Sequence, residues 1–175
     1  SRAKMAAMLR TEFLKAQEHA GKLAKAEKGK EPPRDLRLEA LGQVLKGELP
    51  LLVTVHRAND ILSAIRLGKE FGLRLVLDGV AEAPLVLNEI KASGYPLFLH
   101  PSMARPSGDA QAISLETAAK LREAGVPFAL QSGFEGYVPK TRVILFEAAM
   151  AAANGLTPEQ AIASITIDAA KLLGL

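Results

Sequence analysis

The sequence predicts an α/β fold of four parallel βα units, on three observations. Four short apolar runs, "LPLLVTVH", "LRLVLD", "YPLFLH" and "VPFALQ", end on polar residues at His56, Asp78, His100 and Gln131. These ends are spaced 22, 22 and 31 residues apart. Helical patterns fill the intervals, as in "NDILSAIRLGKEFG", "EAPLVLNEIKASG" and "SLETAAKLREAG", and each closes on a glycine ahead of the next run. Strands alternating with helices at this spacing imply parallel crossovers with helices over the sheet.

In chain order, Met5, Met8, Leu9, Phe13, Ala16, Ala20 and Leu23 recur at helical spacing, which predicts an amphipathic helix over residues 3–27. "EPPRD" breaks it, and Asp35 is placed to cap a second helix carrying Leu38, Leu41 and Leu45. Residues 1–48 therefore read as a helical segment packing on a barrel-like domain, and residues 49–175 as the four βα units. Asp60 is placed to cap the helix after the first strand. The last stretch predicts two closing helices, "TRVILFEAAMAAANG" and "TPEQAIASITIDAAKLLGL", the second with Thr157 as N-cap and Pro158 at its first position.

Composition narrows the function classes. A chain of 175 residues can bury a real core. It has no cysteine, so disulfides, thiol catalysis and cysteine metal sites are excluded. No apolar run reaches the roughly 18 residues of a membrane span, and the start is not a signal peptide, so a soluble protein is expected. Residues 1–48 hold 11 Lys or Arg against 7 Asp or Glu, but the cluster "KLAKAEKGKEPPR" has no interleaved aromatics, and a solvated helix face is expected rather than a nucleic-acid arm. The first residue is Ser rather than Met, and a chain that was processed or cut from something longer is expected.

In parallel α/β folds ligands bind at the carboxyl ends of strands, where all four terminal polar residues fall. Arg57, Glu82 and Glu135 join them as mouth residues, while the loop "SMARPSGDAQ" lacks a phosphate-cradling pattern. Four βα units make half of a closed eight-strand TIM-type barrel. Half a barrel leaves two strand edges and an apolar inner face, so a homo-oligomer or a missing N-terminal half is expected.

"SRAKMAAMLRTEFLKAQEH", "VTVHRANDILSAIRLGKEFGLRLVLDGVAEA" and "EAAMAAANGLTPEQAIASITIDAAKLLGL" resemble the amidohydrolase superfamily, specifically its imidazolonepropionase and prolidase-like branch. The resemblance implies a metal-dependent (β/α)8 hydrolase of C–N bonds in cyclic amides and related small molecules, here the half that follows the fourth barrel strand. It implies zinc or another divalent ion, with His56 at the fifth-strand ligand position and Arg57 at a family arginine. The sixth-strand histidine would fall at Gly79 and the eighth-strand aspartate, the family's general base, at Gly133. A catalytic zinc needs about three protein ligands plus a water whose pKa it lowers, and glycine can supply neither ligand nor base. His56 is then either a retained ligand or a strand-end residue bonded to a loop, and His56, Asp78 and His100 could form a substitute cluster. Three readings follow. The chain is an enzyme-derived half with a degenerate site that holds no metal tightly alone, a binding or scaffold domain with a small-molecule pocket, or a hydrolase completed by another segment or chain.

Overall fold

Parallel strands form where the apolar runs place them. A computed structural model describes residues 2–27, 29–30, 32–135 and 138–175, with only the backbone of Glu135. The strands are β1 (Leu51–Val55), β2 (Leu75–Gly79), β3 (Leu97–Leu99) and β4 (Phe128–Leu130), hydrogen-bonded in the order β1-β2-β3-β4. Leu77 pairs with Leu97 and Leu97 with Phe128, both in parallel register. Helices α3 (Ala58–Phe71), α4 (Leu87–Ser93) and α5 (Thr117–Ala124) make the crossovers. Gly94 and Gly125 end α4 and α5 in the left-handed conformation that side chains resist, which lets the chain turn directly into the next strand. The sheet and its helices are half of a TIM-type (β/α)8 barrel.

The chain forms two compact units, Ser1–Leu51 with Arg66–Leu75, and Leu52–Ile65 with Val76–Leu175. In the first, α1 (Arg2–Lys25) packs on α2 (Leu36–Leu45). Asp35 caps α2 as its sequence predicts, its Oδ1 accepting from the N–H groups of Arg37 and Leu38 at 3.0 and 3.1 Å. Phe13 is fully buried with Val44, Leu67 and Leu73, its ring 5.0 Å from that of Phe71. The apolar stripe on α1 is buried only at Phe13 and Ala16, while Met5, Met8, Leu9 and Leu23 stay exposed. Periodicity marked the stripe correctly, but its burial follows the few positions that face the cluster.

In the second unit, Leu77, Leu97, Leu99, Leu121 and Phe128 form the buried layer between sheet and helices. Arg122 of α5 lies over the Phe128 ring at 5.0 Å, which fixes this as the helix-covered face. Alternation puts Leu52, Thr54, Asp78 and Phe98 on the opposite face, where Leu52 and Thr54 are exposed and Asp78 and Phe98 partly so. Residues Phe134–Glu135 (β5) and Val138–Pro139 (β6) add a small antiparallel pair that no apolar run announces.

The C-terminal stretch contains three helices rather than two: α6 (Ile144–Ala153), α7 (Pro158–Ile165) and α8 (Ile167–Leu173). Thr157 caps α7 in a reciprocal capping box with Gln160. The expected single helix divides at Thr166, whose backbone leaves the helical region at φ −127° and ψ −95°. The break falls in the β-branched run Ile165-Thr166-Ile167, where helix propensity is low, and the Thr166 hydroxyl donates back to the Ile162 carbonyl at 2.7 Å. All three helices pack against β4.

Truncating the ring at the centre of the first unit tests this packing. Phe13→Ala should lower stability by about 3–5 kcal/mol, whereas Met5→Ala, at an exposed position of the same helix, should stay within about 0.5 kcal/mol. Urea unfolding followed by circular dichroism measures both.

Candidate functional site

Asp78 supplies the first fixed acceptor at the strand ends. Its Oδ2 accepts from the Thr54 hydroxyl at 2.6 Å and its Oδ1 from Gln131 Nε2 at 2.7 Å. This ladder ties the ends of β1, β2 and β4 together across the sheet face opposite the helices.

Above it the chain turns sharply. Gly79 has φ +86°, and Val80, fully buried, follows at φ +46°. The Val80 N–H donates to the Val55 carbonyl at 2.7 Å, the Glu82 N–H to the His56 carbonyl at 2.8 Å and the His100 N–H to the Gly79 carbonyl at 2.9 Å. A Cβ on residue 79 would lie 2.5 Å from His56 Cε1, so the His56 ring lies directly on the glycine. His56 Nδ1 is buried there without a hydrogen-bond partner.

His100 is 1% exposed. Its Nδ1 lies 3.2 Å from the Pro101 carbonyl, and because a carbonyl only accepts, that nitrogen carries the hydrogen. Its Nε2 then presents a lone pair, buried and unpartnered. Burial pushes the His100 pKa below the ordinary histidine value; the Pro101 hydrogen bond opposes that shift, the nearby His56 reinforces it, and Glu147 opposes it more weakly.

The remaining mouth residues form a rim. Arg57 Nε is 3.8 Å from Glu82 Oε1 and its Nη1 4.0 Å from Asp109 Oδ1, so Arg57 bridges the loops after β2 and β3. Glu82 Oε2 also accepts from the Ala58 N–H at 2.8 Å. That corrects the expectation for Asp60. The helix begins at Ala58, which places Asp60 inside the first turn and gives the capping role to Glu82 from another loop. The side chain of Glu135 lies outside the described residues.

Glu147 is the site residue that sequence reasoning missed. It sits in the first turn of α6 at 1% exposure, and its carboxylate accepts from the backbone N–H groups of Ser102 and Met103, at 2.7 and 3.2 Å, and from the Ser102 hydroxyl. It therefore anchors the loop that leaves His100. The signal was available: Glu147 is the lone charge in the otherwise apolar run "VILFEAAMAAA".

The residues can be tested against a divalent metal directly. Among the described residues no three His, Asp or Glu side chains converge on one point. Gly79 is closed by the His56 ring. Gly133 has φ +66°, and a Cβ there would lie 2.5 Å from Pro101 Cγ, so neither position has room for a longer side chain without rearrangement. Among the described residues, therefore, no set of three protein ligands for a catalytic zinc is assembled. What remains is two orphaned imidazole nitrogens, on His56 and His100.

Over its full length the chain is similar to the crystal structure of an amidohydrolase from Thermotoga maritima MSB8, with 30% identity and a TM-score of 0.92. This likeness supports the amidohydrolase superfamily. The chain spans 46% of that structure. No protein-family model matches the chain, and no curated protein does.

Two substitutions probe the site's framework. Gly79→Ala should cost about 1–3 kcal/mol, because the new methyl meets the His56 ring in a backbone conformation that disfavours it. Glu147→Ala should cost about 1–3 kcal/mol by leaving the Ser102 and Met103 N–H groups without their acceptor, and Glu147→Gln should recover part of that. Thermal unfolding of the variants measures both effects.

Proposed function

We propose that this chain is an amidohydrolase-like domain of the imidazolonepropionase and prolidase-like branch, equivalent to the C-terminal half of the barrel. Its ancestral reaction is metal-dependent hydrolysis of C–N bonds in cyclic amides or related small molecules. In this chain the metal site is degenerate, and the strand-end face binds a small molecule with little hydrolysis by the chain alone. The single observation that carries this reading is the full-length likeness to an amidohydrolase combined with glycines at 79 and 133, each backed by a neighbouring side chain.

A metal bound in this family's manner would lower the pKa of its water and so supply the nucleophile. The chain's own residues would orient the substrate. Asp78, held by Thr54 and Gln131, offers a fixed acceptor for a substrate N–H, Arg57 contributes positive charge on the rim, and His100 stands buried at the end of β3. No carboxylate stands at Gly133 to take a proton, so general-base catalysis must come from elsewhere.

A purely binding role is favoured by one further observation, the contact of Pro101 with Gly133, which fills the space a catalytic carboxylate would use. Either way the half barrel calls for a complementary half or a second copy, since β1 and β4 end the strand order and Leu52 is 54% exposed on the face opposite the helices.

Protein purified without added metal should contain far less than one zinc per chain by elemental analysis and should not measurably hydrolyse a five-membered cyclic amide. Stoichiometric zinc accompanied by turnover would overturn the degenerate-site reading. Light scattering at low concentration should show an assembly larger than one chain, and a monomer with a sharp unfolding transition would remove the argument for a partner.

A further inference from the structure

Two exposed apolar surfaces on this chain stand in opposite electrostatic surroundings. The first is on α1. Met5, Met8 and Leu9 are 64%, 58% and 43% exposed, and their spacing of three and four residues puts them on one helix face. Residues 2–11 hold Arg2, Lys4 and Arg10 and no acid, so this stripe has a basic setting. Anchors at i, i+3 and i+4 are the pattern of a helix that lays its apolar face into a groove, and the flexible methionine side chain adapts to such a contact.

The second surface is a groove of about 510 Å³ at the junction of α7 and α8. It lies where the backbone leaves the helical region at Thr166. Ile162 before the break and Ile167 after it line the groove and are 49% and 53% exposed, with Pro158 and Ala163 extending its apolar wall. Of the lining residues only Glu159 is charged, so the groove has an acidic edge and no cation. Contiguous apolar surface with a polar border marks an interaction site, whereas single exposed apolar side chains do not.

We propose that the stripe of Met5, Met8 and Leu9 on one copy of this chain docks in the α7/α8 groove of a second copy, the basic setting of α1 meeting the Glu159 carboxylate. Apolar burial supplies the attraction, and the opposite charges select the partner and its orientation. An anionic lipid surface would match α1 alone and would repel the Glu159 edge, whereas a second copy covers both surfaces. The contact is head-to-tail, since every copy offers one stripe and one groove, and it extends into a ring or a chain of copies. It uses helix surfaces and is separate from any pairing of half barrels through strand edges.

Light scattering on the full 18.6 kDa chain tests this with two variants at exposed positions, Met5→Glu combined with Met8→Glu on the stripe, and Ile162→Glu in the groove. The unsubstituted chain should assemble as its concentration rises. Each variant alone should keep its circular dichroism spectrum and run as a monomer. An equimolar mixture of the two should form a dimer of twice the monomer mass and stop there, because the intact stripe of one meets the intact groove of the other while the two substituted surfaces, both acidic, repel. The proposal is overturned if the unsubstituted chain stays monomeric, if the mixture stays monomeric, or if either variant alone assembles to the size of the unsubstituted chain. Unchanged assembly in both variants would assign it to the strand edges, which leaves the half-barrel reading standing and separates the two contacts.

Discussion

The strand ends are organised by the turn at Gly79 and Val80. One residue without a side chain, followed by one forced to positive φ, sends three backbone hydrogen bonds in different directions: Val80 to Val55, Glu82 to the His56 carbonyl, and Gly79 to the His100 N–H. A buried, non-glycine residue at φ +46° is held only where its surroundings over-determine it, and these bonds supply that constraint. The same turn leaves the space that the His56 ring fills. Positions 56, 79 and 100 are therefore one structural unit, and a substitution at any of them is felt at the other two.

Glu147 performs the corresponding task for the loop after β3. A buried carboxylate is costly unless its oxygens are hydrogen-bonded, and here two backbone N–H groups and a hydroxyl meet that need. The arrangement couples α6, well beyond β4 in sequence, to the residue next to His100. It also accounts for the placement of a charge in a helix whose other early residues, Leu145 and Phe146, are apolar and exposed. The carboxylate is directed by the loop it must satisfy rather than by the helix's own amphipathic pattern.

Much of the architecture was legible because it rests on period and punctuation. The four apolar runs, the glycine helix stops and the caps at Asp35 and Thr157 are local signals, and the structure realises them within the described residues. The break at Thr166 and the pair β5/β6 were less visible. A threonine between two isoleucines lowers propensity without a proline or glycine to announce a stop, and two-residue strands carry no periodicity. His56, Asp78, His100 and Gln131 were legible as strand ends because each closes an apolar run, and Arg57 was singled out by the family resemblance. Their partners were out of reach, since Thr54 and Glu147 lie 24 and 45 residues from the groups they bond, Asp78 and Ser102. Asp60 illustrates the limit: an acid near a helix start looks like a cap, and only the tertiary approach of Glu82 shows that the cap comes from another loop.

The Thr54–Asp78–Gln131 ladder sets a condition on whatever covers the open face of the sheet. That face carries Leu52 and Phe98, which favour a cover, but also a carboxylate whose two oxygens each have one donor among the described residues. A carboxylate can accept more hydrogen bonds than that, and sealing it under purely apolar side chains would strip the remaining solvation without replacement. A complementary layer must therefore bring a donor or cation to Asp78, or leave a polar cavity beside it. The second arrangement would put that cavity at the carboxyl ends of the strands, where parallel α/β folds bind ligands, so closing the barrel and hydrating Asp78 impose one demand on the same end of the sheet.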